Sequence, residues 1–473
     1  MLWATWAESM SMRETEHATR PAAPRAAALN FLTWVRRQVW LQPIYRIAPE
    51  SLRLWFADLL KARSSVRLRF PRTVAWSRPV PVLEYSVDRP PAGGKDGLGV
   101  DVYGFVRGQF GLGESVRLYA RALLSAGCDV ALHDVDLGLP HGWNDHSLDA
   151  FMREEAVHRV SIVFVNPDCF DAALEKIGRE RLAGKYVIGC WFWELERIPE
   201  AWMSALDEVD AIMVASGFIE SAFRNVTNKP ILRVPIPLSP VPDSGLQRED
   251  FGLDEGRFIF LTSFDFNSSP ARKNPLAVIE AFRAAFPVER SDVGLVVKSS
   301  NGHRCDHGVR DLLLAAAGDP RIVIRDEVID RAHVRALQRC CDAFVSLHRA
   351  EGFGLGLAEC MELGKPVIGT RWSGNLEFMD EDNSRLVDYT LAPVREGQYL
   401  GSEGALWAEP GIESAASAMR ELADSPSFAR SVGLKGQEAV RHQLAPASAA
   451  KALISQLAAL QTFSPPDAGA LSE

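Results

Sequence analysis

The segment Ser346-Leu-His-Arg-Ala-Glu-Gly-Phe-Gly-Leu-Gly-Leu-Ala-Glu-Cys-Met-Glu-Leu-Gly-Lys-Pro-Val-Ile-Gly369 holds three structural signals in a row. An apolar β-type run, Ala343 to Leu347, ends inside it, a glycine-rich turn follows, and a helical pattern begins near Gly354. Glycines let backbone amides come close to a ligand, and the free N–H groups of a helix's first turn form an anion site suited to a diphosphate. Glu351 lies on the turn and Glu359 inside the helix, with seven residues between them. Carboxylates accept hydrogen bonds from vicinal diols, so the pair suits one diol on a sugar ring and one on a ribose.

Outward from this segment the same strand-then-helix rhythm recurs. Apolar runs at Phe258 to Thr262, Gly294 to Lys298, Ile322 to Ile324 and Pro366 to Gly369 alternate with helical patterns such as Pro275 to Phe286 and Arg331 to Cys340. An earlier series runs through Val100 to Val106, Val130 to His133, Val160 to Val165, Tyr186 to Phe192, Ala211 to Val214 and Ile231 to Val234. The alternation predicts parallel βαβ units in two doubly wound α/β domains facing a cleft. The expected boundaries are 1–97 for a tail, a basic amphipathic helical extension and a linker; 98–243 for the first domain; 244–461 for the second with its C-terminal helices; and 462–473 for a frayed tail.

Bulk composition narrows the class. With 473 residues, 47% of them hydrophobic, the chain is too long for one ordinary core. Its net charge of -9 gives no whole-chain signal for nucleic-acid binding. The seven cysteines form no C-x-x-C pair, and they read as reduced thiols. The amino terminus shows no basic region followed by an unbroken apolar stretch and a small-residue cleavage site, and there is no uncharged apolar run of about 18 residues, so a cytoplasmic location is the expectation. Residues 27–72 carry nine Lys/Arg against only Glu50 and Asp58, with tryptophans among them. Such helices either lie peripherally on the anionic inner face of a membrane or pack on the domains.

The context Glu-Gly-Phe-Gly-Leu-x-Leu-x-Glu resembles the E-x7-E motif of the family-4 retaining glycosyltransferases, a family of GT-B architecture with two Rossmann-like domains. The resemblance implies that Glu351 holds donor-sugar hydroxyls and Glu359 the ribose of a UDP-, GDP- or ADP-sugar. Amides at Gly352, Phe353, Gly354 and Leu355 would face the diphosphate. Lys273 in Ala271-Arg-Lys-Asn-Pro275 matches the family lysine, while the family arginine position falls near Asn267. Arg272 or another base such as Lys298 is therefore the candidate second charge. Gly374 and Asn375 align with a family loop that lines the phosphates. In the first domain, Gly111 and Gly113 open a helix after the first strand, again a phosphate-friendly turn. Glu194, near the end of a first-domain strand in Trp191-Phe-Trp-Glu-Leu-Glu196, is the candidate polar group facing the acceptor.

The function implied is that of a hexosyltransferase (EC 2.4 class), with no cofactor and no metal required. It would move a sugar, with retention, from the nucleotide-sugar to a hydroxyl of a saccharide or lipid-linked saccharide in cell-surface polysaccharide synthesis. A nucleotide-sugar epimerase of the same fold and a non-catalytic scaffold on the membrane surface are the alternatives. A nicotinamide site at Gly108, Gly111 and Gly113 is disfavoured, because G-x-x-G-x-G reverses the dinucleotide spacing. Asp134-Val-Asp136 reads as a D-x-D metal doublet only by chance frequency. From the sequence, Glu351→Ala is expected to abolish transfer while leaving the thermal melt nearly unchanged.

Overall fold

The computed structural model describes residues 99–139 and 141–461. The expectations for residues 1–97 and 462–473, including membrane contact through 27–72, lie outside the described residues.

The first domain runs β1 (Gly99–Gly104), α1 (Gly111–Ser125), β2 (Asp129–Asp134), β3 (Val160–Phe164), α2 (Phe170–Ile177), α3 (Arg179–Leu182), β4 (Tyr186–Cys190), α4 (Met203–Asp207), β5 (Ala211–Val214), α5 (Gly217–Arg224) and β6 (Ile231–Arg233). Its six strands pair in parallel in the order β2-β1-β3-β4-β5-β6. Helices on both faces bury such strands on both sides, which is why β3 (Val-Ser-Ile-Val-Phe) and β5 (Ala-Ile-Met-Val) are nearly unbroken apolar runs.

The second domain runs β7 (Phe258–Asp265), α6 (Pro270–Lys273), α7 (Pro275–Ala285), β8 (Val293–Ser300), α8 (Asp306–Ala316), β9 (Ile322–Asp326), α9 (Arg331–Cys340), β10 (Ala343–Ser346), α10 (Leu355–Glu362), β11 (Val367–Thr370) and β12 (Arg385–Val387). The sheet order is β12-β11-β10-β7-β8-β9. The first strand, β7, thus lies inside the sheet, with the chain wound outward on both sides of it, as in doubly wound folds. An antiparallel hairpin, β13 (Tyr389–Pro393) and β14 (Leu406–Pro410), follows, and then α11 (Ile412–Asp424), α12 (Pro426–Gln443) and α13 (Pro446–Gln461).

Strand order fixes where ligands can bind. Ligands of open α/β sheets sit beyond the carboxyl ends of the strands where the order reverses. In the first sheet that point lies between β1 and β3, so the turn from Phe105 into α1 borders it. In the second it lies between β7 and β10, and the loops leaving those two strands carry Arg272, Lys273 and the Glu351 turn.

Asn274 takes a left-handed φ of 53° and makes no side-chain cap bond, and Pro275 at the first helical position starts α7. The last helix does not stay with the second domain. Helix α13 packs on α1, and its Leu453 and Leu457 are buried in the same core as Tyr119 and Leu123. Among the described residues no helix is long and apolar enough to cross a membrane.

Candidate active site between the two sheets

The loop after β7 is shaped by its own polar side chains. Asp265 accepts from the Asn267 amide at 2.8 Å and from Asn301 Nδ2 at 2.9 and 3.0 Å. Ser269, at a φ of 57°, accepts from the Arg272 amide and so starts the single turn α6. That turn delivers Arg272, 4% exposed, against the loop that follows β10. Its Nη1 donates to the Ala350 carbonyl at 2.9 Å and lies 3.1 Å from Glu351 Oε2, while Lys273 Nζ pairs with Glu351 Oε1. The other arm of Arg272 reaches the first domain, Nη2 lying 3.6 Å from Glu194 Oε1. Arg272 Nε is buried without a partner. The sequence left Arg272 and Lys298 open as the second base; the geometry brings Arg272 to Glu351, Lys273 and Glu194.

Charge sharing sets the protonation states. Burial alone would raise the Glu351 carboxyl, but Lys273 and then Arg272 outweigh it and bring it down to about 2. For Lys273 burial is the larger influence and Arg272 adds to it, so its pKa falls despite Glu351. Arg272 is held charged, Glu194 and Glu351 overcoming its desolvation. Lys273 is therefore the member of the cluster most easily discharged.

The glycine turn is built by close backbone approach. A Cβ on Gly374 would overlap the Gly352 carbonyl, and one on Gly352 would lie 2.8 Å from the Trp193 carbonyl of the first domain. Ser216 Oγ, also of the first domain, donates to the Gly352 carbonyl at 2.6 Å. Gly354 has a φ of +90° and precedes α10, whose start has no side-chain cap, so its first amides keep their donor capacity. Helix α1 likewise starts without a side-chain cap; Gly111 faces open space, whereas Gly113 is a packing glycine whose Cβ would meet the Gly108 and Phe105 carbonyls.

Several residues singled out from the sequence point elsewhere. Phe353 is 3% exposed and packs on Phe378, so its backbone but not its ring borders the turn. The Asn375 side chain, wholly buried, binds the Thr370 carbonyl at 3.0 Å and His348 Nε2 at 3.0 Å, and thus braces the turn from behind. Lys298, 7% exposed, bonds Ser300 Oγ at 2.5 Å, and no described contact joins it to the Glu351 cluster. Burial lowers its pKa to about 8 against the pull of Asp265 and Asp326. Asp134 spends one oxygen on the Arg107 amide and the other on Trp143 Nε1, which fixes the loops around Gly108.

Glu359 does not share a partner with Glu351. On α10 it is 2% exposed and is held by Arg331, by Gln338 Nε2 at 3.3 Å and by Arg335 at 3.9 Å, all from α9. Arg331 also reaches Glu114 of α1 at 3.5 Å, and Glu114 pairs with Arg117 at 2.8 Å. On the far side Arg335 binds Glu362 at 2.7 Å, and Glu362 meets Arg441. Alternating charges thus run from the first domain's glycine loop through Glu359 to α12. Sequence reading missed Arg331, Glu114 and Tyr399. The first two carried a signal, a basic residue opening one helix and an acidic residue in the first turn of another. Tyr399 carried none. Among the described residues no group of three or more His, Cys, Asp or Glu is placed to hold a metal ion.

Two facing Rossmann-like sheets with a charged cluster and uncapped helix starts between them define the GT-B fold. Solved structures of that architecture agree. Sucrose-phosphate synthase from Thermosynechococcus elongatus superposes with a TM-score of 0.57 at 15% identity, covering 78% of this chain and 100% of that one. HepE from Anabaena, in complex with UDP-glucose, gives 0.57 at 12% identity over 76% of this chain and 100% of its own. A glycosyltransferase from Rickettsia africae gives 0.56 at 12% identity, covering 78% and 99%. Residues 269–395 match the family described as "Glycosyl transferases group 1", a span that includes Arg272, Lys273, Glu351 and Glu359 and ends before Tyr399. A trehalose synthase from Rubrobacter xylanophilus is 28% identical over 217 residues, 43% of this chain and 46% of the relative, so the chain matches about half the length of that protein.

Proposed function

We propose that this chain is a glycosyltransferase that moves a sugar from a nucleoside-diphosphate sugar to a saccharide hydroxyl, with retention of configuration. The observation that carries the reading is the convergence of Arg272, Lys273 and Glu351 beside the uncapped start of α10 at the switch point of the second sheet. The matched proteins support it: trehalose synthase and sucrose-phosphate synthase are named for disaccharide products, and the HepE structure is a complex with UDP-glucose.

In this reading the acceptor hydroxyl attacks the anomeric carbon while the bond from that carbon to the diphosphate oxygen breaks. The hydroxyl proton passes to the departing diphosphate. Retention requires both events on one face of the ring, so the protein's task is to hold the reactants and offset charge. Arg272, Lys273 and the Gly352–Leu355 amides face the leaving diphosphate, Glu351 orients donor-sugar hydroxyls and Lys273, and Glu194 faces the acceptor. Gly111 lets the first domain approach the donor. Glu359 takes the ribose once Arg331 yields its place. Cell-surface polysaccharide synthesis, with a saccharide or lipid-linked saccharide as acceptor, is the proposed context.

The test is to incubate the protein with UDP-, GDP- and ADP-glucose and a panel of saccharides and to assign the anomeric configuration of the product by NMR. Formation of an α-linked product from an α-linked donor is expected. An inverted product, or donor isomerised without transfer, would overturn the reading.

A further inference from the structure

The hairpin that follows β12 ties the second domain to the first beside the charged cluster. Its base is fixed next to Glu351: Arg349 makes two bonds to Glu409 of β14, at 2.6 and 2.8 Å, and the Ala408 amide donates to the Arg349 carbonyl at 2.9 Å. The connecting segment, residues 394–405, then leaves its own domain. Val394, Ala405 and Trp407 are buried in one apolar cluster with Trp191, Trp193, Leu195 and Ile198 of the first domain. Gly401, at a φ of +64°, passes so close to Pro199 that a Cβ there would lie 2.8 Å from it.

At the inner edge of this segment stands Tyr399. Its ring lies 5.7 Å from Trp193 and 5.6 Å from the Arg272 guanidinium, and its hydroxyl donates to Glu194 Oε2 at 2.6 Å. The other oxygen of Glu194 faces Arg272 at 3.6 Å. Three side chains from two domains therefore close a ring, Tyr399 to Glu194 to Arg272 and back to Tyr399. Burial, with Glu194 beside it, pushes the phenol well above its usual pKa, so it stays protonated and acts as a donor to Glu194.

We infer that residues 394–405 form a strap that walls the acceptor side of the cleft, and that Tyr399 is a positioning residue that aims Glu194 at the acceptor's hydroxyls. The inference rests on the transferase reading above and extends it to acceptor selection. With the phenol on one oxygen and the guanidinium on the other, the carboxylate of Glu194 is held in one rotamer while each oxygen keeps a lone pair for a hydroxyl donor. The acceptor class that fits is a neutral polyol. An acidic sugar would bring a second carboxylate against Glu194, and Arg272, the base that faces Glu194, is already shared with Glu351.

Tyr399→Phe keeps the ring against Trp193 and Arg272 and removes only the hydroxyl. The expected result is a fall of about ten- to 150-fold in kcat/KM for the acceptor, the size of one hydrogen bond to a charged group, with the donor KM unchanged. Donor hydrolysis should continue, so the ratio of transfer to hydrolysis falls. Equal losses for donor and acceptor, or unchanged acceptor kinetics, would overturn the positioning role. A double-mutant cycle on thermal melting with Tyr399→Phe and Glu194→Gln tests the contact without turnover. Non-additive losses are expected, and additive ones would overturn the contact. If the wild-type protein consumed no nucleotide-sugar while the cycle still showed coupling, the transferase reading would fall, and with it the acceptor role of Tyr399, but not the contact.

Discussion

Replacing Glu351 by glutamine should cost the fold more than a lost hydrogen bond. The carboxylate is 7% exposed and stands between Lys273 Nζ on one oxygen and Arg272 Nη1, 3.1 Å from the other. Arg272, Lys273, Glu194 and Glu351 sum to zero charge, and Glu351→Gln leaves the cluster at plus one. Breaking a buried pair by removing one partner costs about 3–5 kcal/mol. Lys273 sets the ceiling on its own share: discharging an ammonium of ordinary pKa about 10.4 at pH 7 takes roughly 4.6 kcal/mol, at about 1.36 kcal/mol per pH unit, after which the penalty stops growing. The melting temperature should drop by at least about 5 °C, measured by calorimetry. From the sequence the loss of this glutamate is expected to leave the melt nearly unchanged; its burial between two cations reverses that expectation. UDP, whose diphosphate returns negative charge to Arg272 and Lys273, should raise the melting temperature of the variant by more than it raises that of the wild type. Adding Lys273→Met should recover part of the loss. A single variant that melted within about 1 °C of wild type, with no larger response to UDP, would refute the reasoning.

Three further outcomes are expected. The carboxyls of Glu351, Glu114 and Asp101 all sit at about 2 in the fold, below their ordinary 4.5, 4.5 and 3.8, so the stability they lend is complete above about pH 5 and is lost as pH falls toward 2. Acid unfolding followed by tryptophan fluorescence should show a steep loss in that window, and Asp101→Asn should flatten it; a wild-type protein of constant stability from pH 5 to about 2.5 would contradict the assignment. Lys298 has its pKa lowered to about 8 from 10.5, so its charged form disfavours the fold and stability climbs as pH rises through that interval. Lys298→Met should raise stability at pH 7 by roughly 1–3 kcal/mol in urea titrations, and a loss there would show that the ammonium is well accommodated. Transfer should persist in EDTA; loss of activity restored by manganese would reopen Asp134 and Asp136 as ligands.

Much of this arrangement is legible in the sequence because it is local. Strand ends, glycine turns and the Ala271-Arg-Lys-Asn-Pro275 stretch each announce themselves within a dozen residues, and strand order then brings Lys273 and Glu351 together across 78 positions. The family pattern predicted the lysine but not that Arg272 would reach both Glu351 and Glu194, since that depends on how far α6 sits from the first sheet. Asn375 aligns with a family loop that lines the phosphates, but the alignment says nothing of its side chain, which satisfies buried groups on β11 and at His348. Tyr399 was invisible because it lies on a hairpin with no motif and meets a partner 205 positions away. Arg331 and Glu359 are separated by 28 positions, and nothing in their spacing says that one occupies the other.

The chain crosses between the two sheets twice, once after β6 and again where α12 gives way to α13. The two passages touch: the Leu238 amide donates to the Leu444 carbonyl at 2.8 Å. Both covalent links are thereby gathered at one place, like the two leaves of a book bound at a single stitch. Sliding one sheet past the other would tear α13 from α1, so the two crossings and the packing of one helix join the halves at the same place. Cutting the chain at either passage would leave α13 joined to the first domain by packing alone.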